Sequence, residues 1–425
     1  MEQSPASEDA PHILARSDPP IPSADDRPGV AIIANSQTPY RLHLHRRIVA
    51  EIPEVRLWSV YTHEESNAPW SFTVPPEIHP VSFGRGESSA RQGDPRHALH
   101  EWIKGGRIIR WLRQQRVAGV VAMGYNDLGR LRIMRWCRRH AIPCFLFGDS
   151  NIRGDRARGL KAVAKRAVVS TAVRWCHGVM PCGTLGREYF LKYGARADRV
   201  YYFPYEPDYA LMGRGGPAAS AAAREAAERF GLEPGRRRLV YSGRLAPEKR
   251  VDLLIDAFAA IAPGRPDWDL LVIGDGPLRP SLERRVPAQV RARVRWTGFS
   301  GEPGTVAALY HNADVLVLPS DYEPWAVVIN EAAAAGLAIV ASDVVGAAAE
   351  LVRDGVNGRV FPAGDAAALA GRLLDVTDSA NVDRMKAASE GVLADWRARG
   401  DPVRGLRRAL VDAGVFRAAA HGRPG

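Results

Sequence analysis

A chain of 425 residues with 46% apolar content has room for two globular domains, each with its own core. Its 58 Lys and Arg against 47 Asp and Glu leave a formal charge of +11. That excess suits an anionic partner (phosphate groups, an anionic lipid surface or nucleic acid) or a plain compositional bias toward Arg. No run of about 18 uncharged apolar residues occurs, which excludes a membrane-spanning helix. The four cysteines lack CxxC spacing and so signal neither a zinc site nor a disulfide framework; they read as buried thiols of a reducing compartment.

Residues 1–28, rich in Pro, Ser and Asp, predict a disordered tail without the apolar core of a secretory signal. Short, nearly continuous apolar runs follow: VAIIAN (30–35), VRLWSVYT (55–62), AGVVAM (118–123), IPCFLFG (142–148), GVMPC (178–182) and RVYYFP (199–204). Each is expected to be a strand buried on both faces. Pro and Gly crowd 206–220, which predicts a linker. A second series then begins, with RLVYSG (238–243), WDLLVIG (268–274), VRWTG (294–298), ADVLVLP (313–319) and LAIVAS (337–342). Stretches such as VDLLIDAFAAIA (251–262) carry apolar residues at helical intervals between them. The alternation predicts an α/β protein of two doubly wound domains, 29–205 and 221–394, facing across a cleft at the carboxyl ends of both sheets.

Function is therefore sought just after strands. In SGRLAPEK, Arg244 and Lys249 follow Gly243 in a loop that leads into a helix. Two cations beside a helix N-terminus make an anion site suited to a diphosphate; solvation of the loop, or pairing with Glu248, is the plain alternative. Gly274 and Gly276 end another strand, and Phe299 follows a third in WTGF; backbone at such turns can approach a nucleobase, or simply turn. SDYEPWAVVINEA sets Glu323 and Glu331 eight positions apart across a loop-to-helix junction. Glu323 is expected at the cleft floor, Glu331 about two turns into the helix, and the amides of Trp325 to Val327 between them as phosphate donors. Glu331 lies among Ala, Val and Ile, where a carboxylate needs a partner.

These motifs in order, with DGVNGRVF, resemble the family 4 glycosyltransferases (glycosyl transferases group 1) over about residues 199–365. The resemblance implies a GT-B fold of two Rossmann-like domains, a nucleotide-diphosphate sugar as donor, no required metal or other cofactor, and retention of configuration. Arg244, Lys249 and Glu323 would be catalytic. Gly243, Gly274, Gly276, Phe299, Trp325, Ala326, Val327 and Glu331 would bind the donor, Glu331 through the ribose. The first domain would take a glycan, glycolipid or small-molecule acceptor, and a C-terminal helix within 395–425 would cross back to it.

Three departures from the family pattern are present. Ala326 stands where the family often has Gly at the head of this helix. The first strand runs into NSQTPYRLHLHRR, so Tyr40 and Arg41 are candidates to contact acceptor. MGYND carries no His, which leaves Tyr125, Asn126 and Asp149 to line the acceptor side, or to serve as ordinary loop caps. His43 and His45 read as helical surface or cleft residues rather than metal ligands. Segment 156–178 sets basic residues beside Val and Ala; it is either a solvated outer face or a peripheral contact with the inner face of the membrane in an otherwise cytoplasmic protein. Two other readings remain open, a GT-B nucleotide-sugar epimerase and a non-catalytic carbohydrate- or nucleic-acid-binding protein. Dispersed basic residues, not interleaved with stacking aromatics, argue against nucleic acid.

Overall fold

The computed structural model describes residues 26–65, 70, 73–89 and 92–417. The first half forms β1 (Gly29–Ala34), α1 (Pro39–Glu51), β2 (Arg56–Tyr61), β3 (Pro80–Ser82), α2 (Ala98–Gln114), β4 (Val117–Met123), α3 (Leu128–Arg139), β5 (Cys144–Gly148), α4 (Gly159–Trp175), β6 (Gly178–Pro181) and α5 (Thr184–Lys192). The chain then passes through α6 (Tyr209–Met212) and α7 (Gly216–Phe230) into β7 (Arg237–Ser242), α8 (Val251–Ile261), β8 (Trp268–Ile273), α9 (Arg279–Arg285), β9 (Val294–Gly298), α10 (Pro303–His311), β10 (Val315–Leu318), α11 (Val327–Ala334), β11 (Ala338–Ser342), α12 (Ala348–Leu351), β12 (Gly358–Phe361) and α13 (Ala366–Val376). Helices α14 (Ser379–Gly400) and α15 (Pro402–Asp412) close the described chain.

The strands pair in parallel into two six-stranded sheets, ordered β3-β2-β1-β4-β5-β6 and β12-β11-β10-β7-β8-β9. Counted from its own first strand, each follows the same doubly wound order, and the order reverses between β1 and β4 and between β7 and β10. Those reversals open crevices at the strand carboxyl ends. The fold is the two-domain α/β architecture expected from the alternating runs. Strands such as β1 and β8 are buried along their whole length, because helices cover both faces of each sheet.

Several elements differ from the reading of the sequence. RVYYFP is apolar but forms no strand. The amides of Tyr201 and Phe203 donate to Val179 O and Pro181 O at 3.0 and 2.9 Å, while α15 closes over the segment so tightly that a Cβ on Gly405 would lie 1.9 Å from Tyr202 O. Strands β3 and β12 are additional. In 206–220, α6 and the start of α7 occupy what loss of periodicity marked as linker, and position 395 falls inside α14. Most of the tail, 1–25, lies outside the described residues; Pro28 O accepts from Arg56 N at 3.0 Å, so ordered chain begins before residue 29.

Helix α15 returns to the first domain. Arg407 pairs with Glu54 at 2.9 Å, and Tyr201 donates to Asp412 at 3.0 Å. Beside it, Arg47 on α1 pairs with both Glu206 and Asp401. One apolar cluster runs from the α1 side of the first sheet through Phe203 and Trp325 into the second domain, while a separate cluster fills the α2–α4 side.

Candidate functional site

The loops after β7, β8 and β9 lie against one another. Gly243 N donates to Ile273 O, Leu245 N to Asp275 O and Gly274 N to Gly298 O, each at 2.9 Å. Gly274 has φ +139, and a Cβ there would stand 1.9 Å from Gly243 O. The glycine spacing thus serves close loop-to-loop packing, which sets the height of the loop carrying Arg244.

Arg244 extends from that loop with its side chain 57% exposed and meets Glu248 at 2.7 Å, the pairing that the plain alternative named. Lys249 and Glu323 form an ion pair, with both side chains mostly buried. Glu323 is held in place by a bridge to Val345, and Arg250 ties the same loop through Asp321 at 2.8 Å. The cation and the acid assigned to separate tasks therefore touch, each setting the other's orientation.

Helix α11 begins at Ala326, whose φ of +82 lies in the left-handed region. Its first amides have no partner within the helix. Glu331, in the second turn, accepts from the Tyr310 hydroxyl at 2.9 Å. Burial pushes its carboxyl up to about 7, against the pull of that hydrogen bond. The partner that a buried carboxylate demands is thus Tyr310, on α10, which the sequence reading missed; its signal was a lone Tyr in AALYHNAD. Val327 is half-buried at the head of α11.

Trp325 was expected to serve through its amide, and its side chain has a separate task. Its indole is buried, donates to Tyr205 O at 3.1 Å and tilts against Trp396 at 5.9 Å, so it anchors the two domains and leaves only backbone to a ligand. Phe299 packs edge-on against Trp70 of the first domain at 5.4 Å, an aromatic pair across the cleft.

On the facing side, Arg41 is buried, donating to Ser36 O at 2.5 Å and to the Tyr205 hydroxyl at 3.4 Å, while Tyr40 stacks edge-on against Tyr205. Burial raises the Asp149 carboxyl above the usual range; Arg41 opposes the rise and Glu323 reinforces it. Arg41, Asp149, Glu323 and Lys249 are thereby one electrostatic cluster drawn from both domains. Tyr125 is bound to Tyr189 at 2.6 Å and Ser150 at 3.2 Å. Asn126 is exposed, and the capping of α3 falls to its neighbour Asp127, which accepts from Arg130 N at 2.8 Å. Two further cleft residues were missed. Asn151 donates from the first domain toward Glu323 O and Pro324 O, each at 3.2 Å. Tyr322 is 43% exposed, with its ring against Gly154.

His45 is buried against Ser59 at 2.6 Å, not on a surface, while His43 stands near Asp208 at 3.6 Å. Sequence spacing also hid a cluster. His63, Glu87 and Glu101 offer ligand atoms within 4.8 Å of one another, but the Lys104 ammonium lies 2.6 Å from Glu87 and 2.8 Å from Glu101, where a cation would sit.

Residues 236–379 match the family model described as "Glycosyl transferases group 1". An alpha-D-kanosaminyltransferase of Streptomyces kanamyceticus is 37% identical over 139 residues, 32% of this chain and 35% of the relative. A lipopolysaccharide core biosynthesis mannosyltransferase of Rhizobium meliloti is 33% identical over 178 residues, 40% of this chain and 49% of the relative. The matched segments thus span less than half the length of these relatives. Solved structures share the fold more widely. HepE of Anabaena, in complex with UDP and glucose, superposes with a TM-score of 0.68 at 18% identity, covering 92% of this chain and all of that one. Sucrose-phosphate synthase of Thermosynechococcus elongatus does so with 0.71 at 18% identity, covering 91% of this chain and all of that one.

Proposed function

We propose that this chain is a retaining glycosyltransferase that moves a sugar from a nucleotide-diphosphate sugar to a glycan, lipid-linked or small-molecule acceptor. The observation that carries the reading is the joint placement, at the ends of β7 and β10, of Arg244, the Lys249–Glu323 pair, the head of α11 and the Glu331–Tyr310 pair. The family match over 236–379 and the transferase names of the relatives support it.

In this reading the diphosphate lies between Arg244, Lys249 and the first amides of α11, so protein charge does the work and no metal ion is required. Glu331 accepts from ribose hydroxyls while Tyr310 fixes its orientation. The bond from the sugar carbon to the diphosphate oxygen breaks as the acceptor oxygen bonds to that carbon on the same face. The acceptor proton passes to the departing phosphate oxygen, whose charge Arg244 meets. Glu323, steadied by Lys249, faces the sugar, and Asp149 and Arg41 line the acceptor side.

Release of nucleoside diphosphate across a panel of donors and acceptors tests the proposal. Arg244→Ala, at an exposed position, should leave folding intact and lower kcat by about 100-fold or more. Glu331→Gln should raise donor KM. Unchanged kinetics in both variants defeat the reading, and free sugar isomer made without acceptor would put an epimerase in its place.

A further inference from the structure

The basic excess of this chain is not dispersed once it is folded. Helices α2, α3 and α4 carry thirteen Lys or Arg against one acid, Glu101, an excess of twelve where the whole chain has eleven. Glu101 is buried and paired with Lys104, so these three helices show solvent no acidic side chain. They are neighbours on one face of the first sheet, with Gly105 of α2 in backbone contact with Gly129 of α3.

Helix α4 adds a second observation. Val169, Ala172 and Val173 form its buried stripe. Leu160, Val163, Ala164 and Ala167, at helical spacing on the opposite side, are all exposed, Leu160 by 88% and Val163 by 67%. Lys161 and Arg166 flank this outer stripe, and both are exposed. Helix α4 thus has two apolar sides, one packed on the sheet and one that covers nothing among the described residues. Leu99 and Ile103 at the head of α2 and Leu128 at the head of α3 are exposed as well, by 71%, 53% and 44%. Because helices of a parallel α/β sheet run back against the strands, all three heads lie on the rim at the strand carboxyl ends, beside the cleft.

We propose that this rim is a docking surface for an anionic lipid bilayer, with the outer stripe of α4 entering the interface and the surrounding Lys and Arg meeting lipid headgroups. Exposed Leu, Ile and Val at helical spacing flanked by cations match the chemistry of an interfacial helix, whereas a nucleic-acid face has no use for them. Docked this way, the mouth of the cleft opens at the lipid surface, within reach of a lipid-linked acceptor; that consequence, unlike the docking, rests on the glycosyl-transfer reading.

The test is co-sedimentation of the full chain with vesicles of phosphatidylcholine alone and of phosphatidylcholine mixed with phosphatidylglycerol. Wild type should bind the mixed vesicles, less so at high salt. The double substitutions Leu160→Asp with Val163→Asp, and Lys161→Glu with Arg166→Glu, should each lower partitioning by about tenfold or more. Leu374→Asp, at an exposed leucine of the other domain, should leave it unchanged, and matching melting temperatures should show all three variants folded. Absence of binding to mixed vesicles, or binding indifferent to both α4 variants, overturns the proposal. So does tighter binding to a duplex oligonucleotide that survives Leu160→Asp with Val163→Asp. Nucleoside diphosphate binding, followed by thermal shift on the same samples, keeps the two readings apart. If it is absent from wild type, the transferase reading fails and the vesicle result stands.

Discussion

Glu331 shows how one side chain couples the site to stability. In the unfolded chain a glutamic acid titrates near 4.5, and in the fold burial lifts Glu331 to about 7. Below the lower value both states are protonated and the site costs nothing. Between the two, the unfolded chain ionises while the folded one keeps its proton, so stability falls as pH rises, and above pH 7 the whole penalty is present. Its size is on the order of 3 kcal/mol. Glu331→Gln retains an acceptor for the Tyr310 hydroxyl and removes the charge. Denaturant unfolding should show that variant as stable as wild type near pH 4.5 and more stable at pH 8; parallel profiles would contradict the burial. The need for a partner was legible in the sequence, since an acid amid Ala, Val and Ile cannot stay charged and alone. Which residue answers it was not, because Tyr310 sits on another helix, brought near only by the packing of α10 against the sheet. Asn151 was hidden for the same reason, reaching the backbone of Glu323 from a different domain.

The elements were legible wherever burial on both faces makes a run of apolar residues, as in β1, β5, β8 and β11. Two strands escaped at sheet edges, where the sequence is freed from that demand. Strand β3 is Pro-Val-Ser with its outer residues exposed, and β12 carries Arg359 among its four residues, paired with Asp375. RVYYFP misled in the opposite sense, since its apolar side chains are buried by α15 as well as by the sheet, and burial alone does not make a ladder. Helix α11 poses a sharper question at its first turn. Ala326 holds φ +82 and ψ +84, a conformation that costs an L-residue and that glycine adopts freely. The strain persists because Trp325 is locked between Tyr205 and Trp396 while Ala347 N bonds Trp325 O at 2.8 Å. Ala326→Gly should therefore stabilise the protein by about 1 kcal/mol, less the extra entropy of the unfolded glycine. A melting temperature at or below wild type would mean that the methyl group contributes packing worth more than the strain.

At the scale of the whole molecule, three charged side chains meet at one junction of the two domains. Arg47 of α1 pairs with Glu206, where the chain leaves the first domain, and with Asp401, between α14 and α15. The side chain of Glu206 is 2% exposed and that of Asp401 9%, so the Arg47 guanidinium replaces much of the water that both acids have lost. Burial lifts Glu206 to about 7; Arg47 pulls the other way, and Asp401 adds to the rise. Removing the cation leaves two acids close together and poorly solvated, a loss of roughly 3–5 kcal/mol for a buried pair broken from one side. Arg47→Leu should show that loss in denaturant unfolding at pH 8. Near pH 5.5 the loss should be smaller, because Glu206, without its partner, takes up a proton and ceases to be a buried charge. Adding Glu206→Leu should recover much of the stability at pH 8, since Asp401 keeps its hydrogen bond from Arg404 N at 2.8 Å as the cap of α15. If Arg47→Leu costs the same at both pH values and the second substitution restores nothing, the junction is held by apolar packing around Phe203 and Trp325, and the three charges only decorate it.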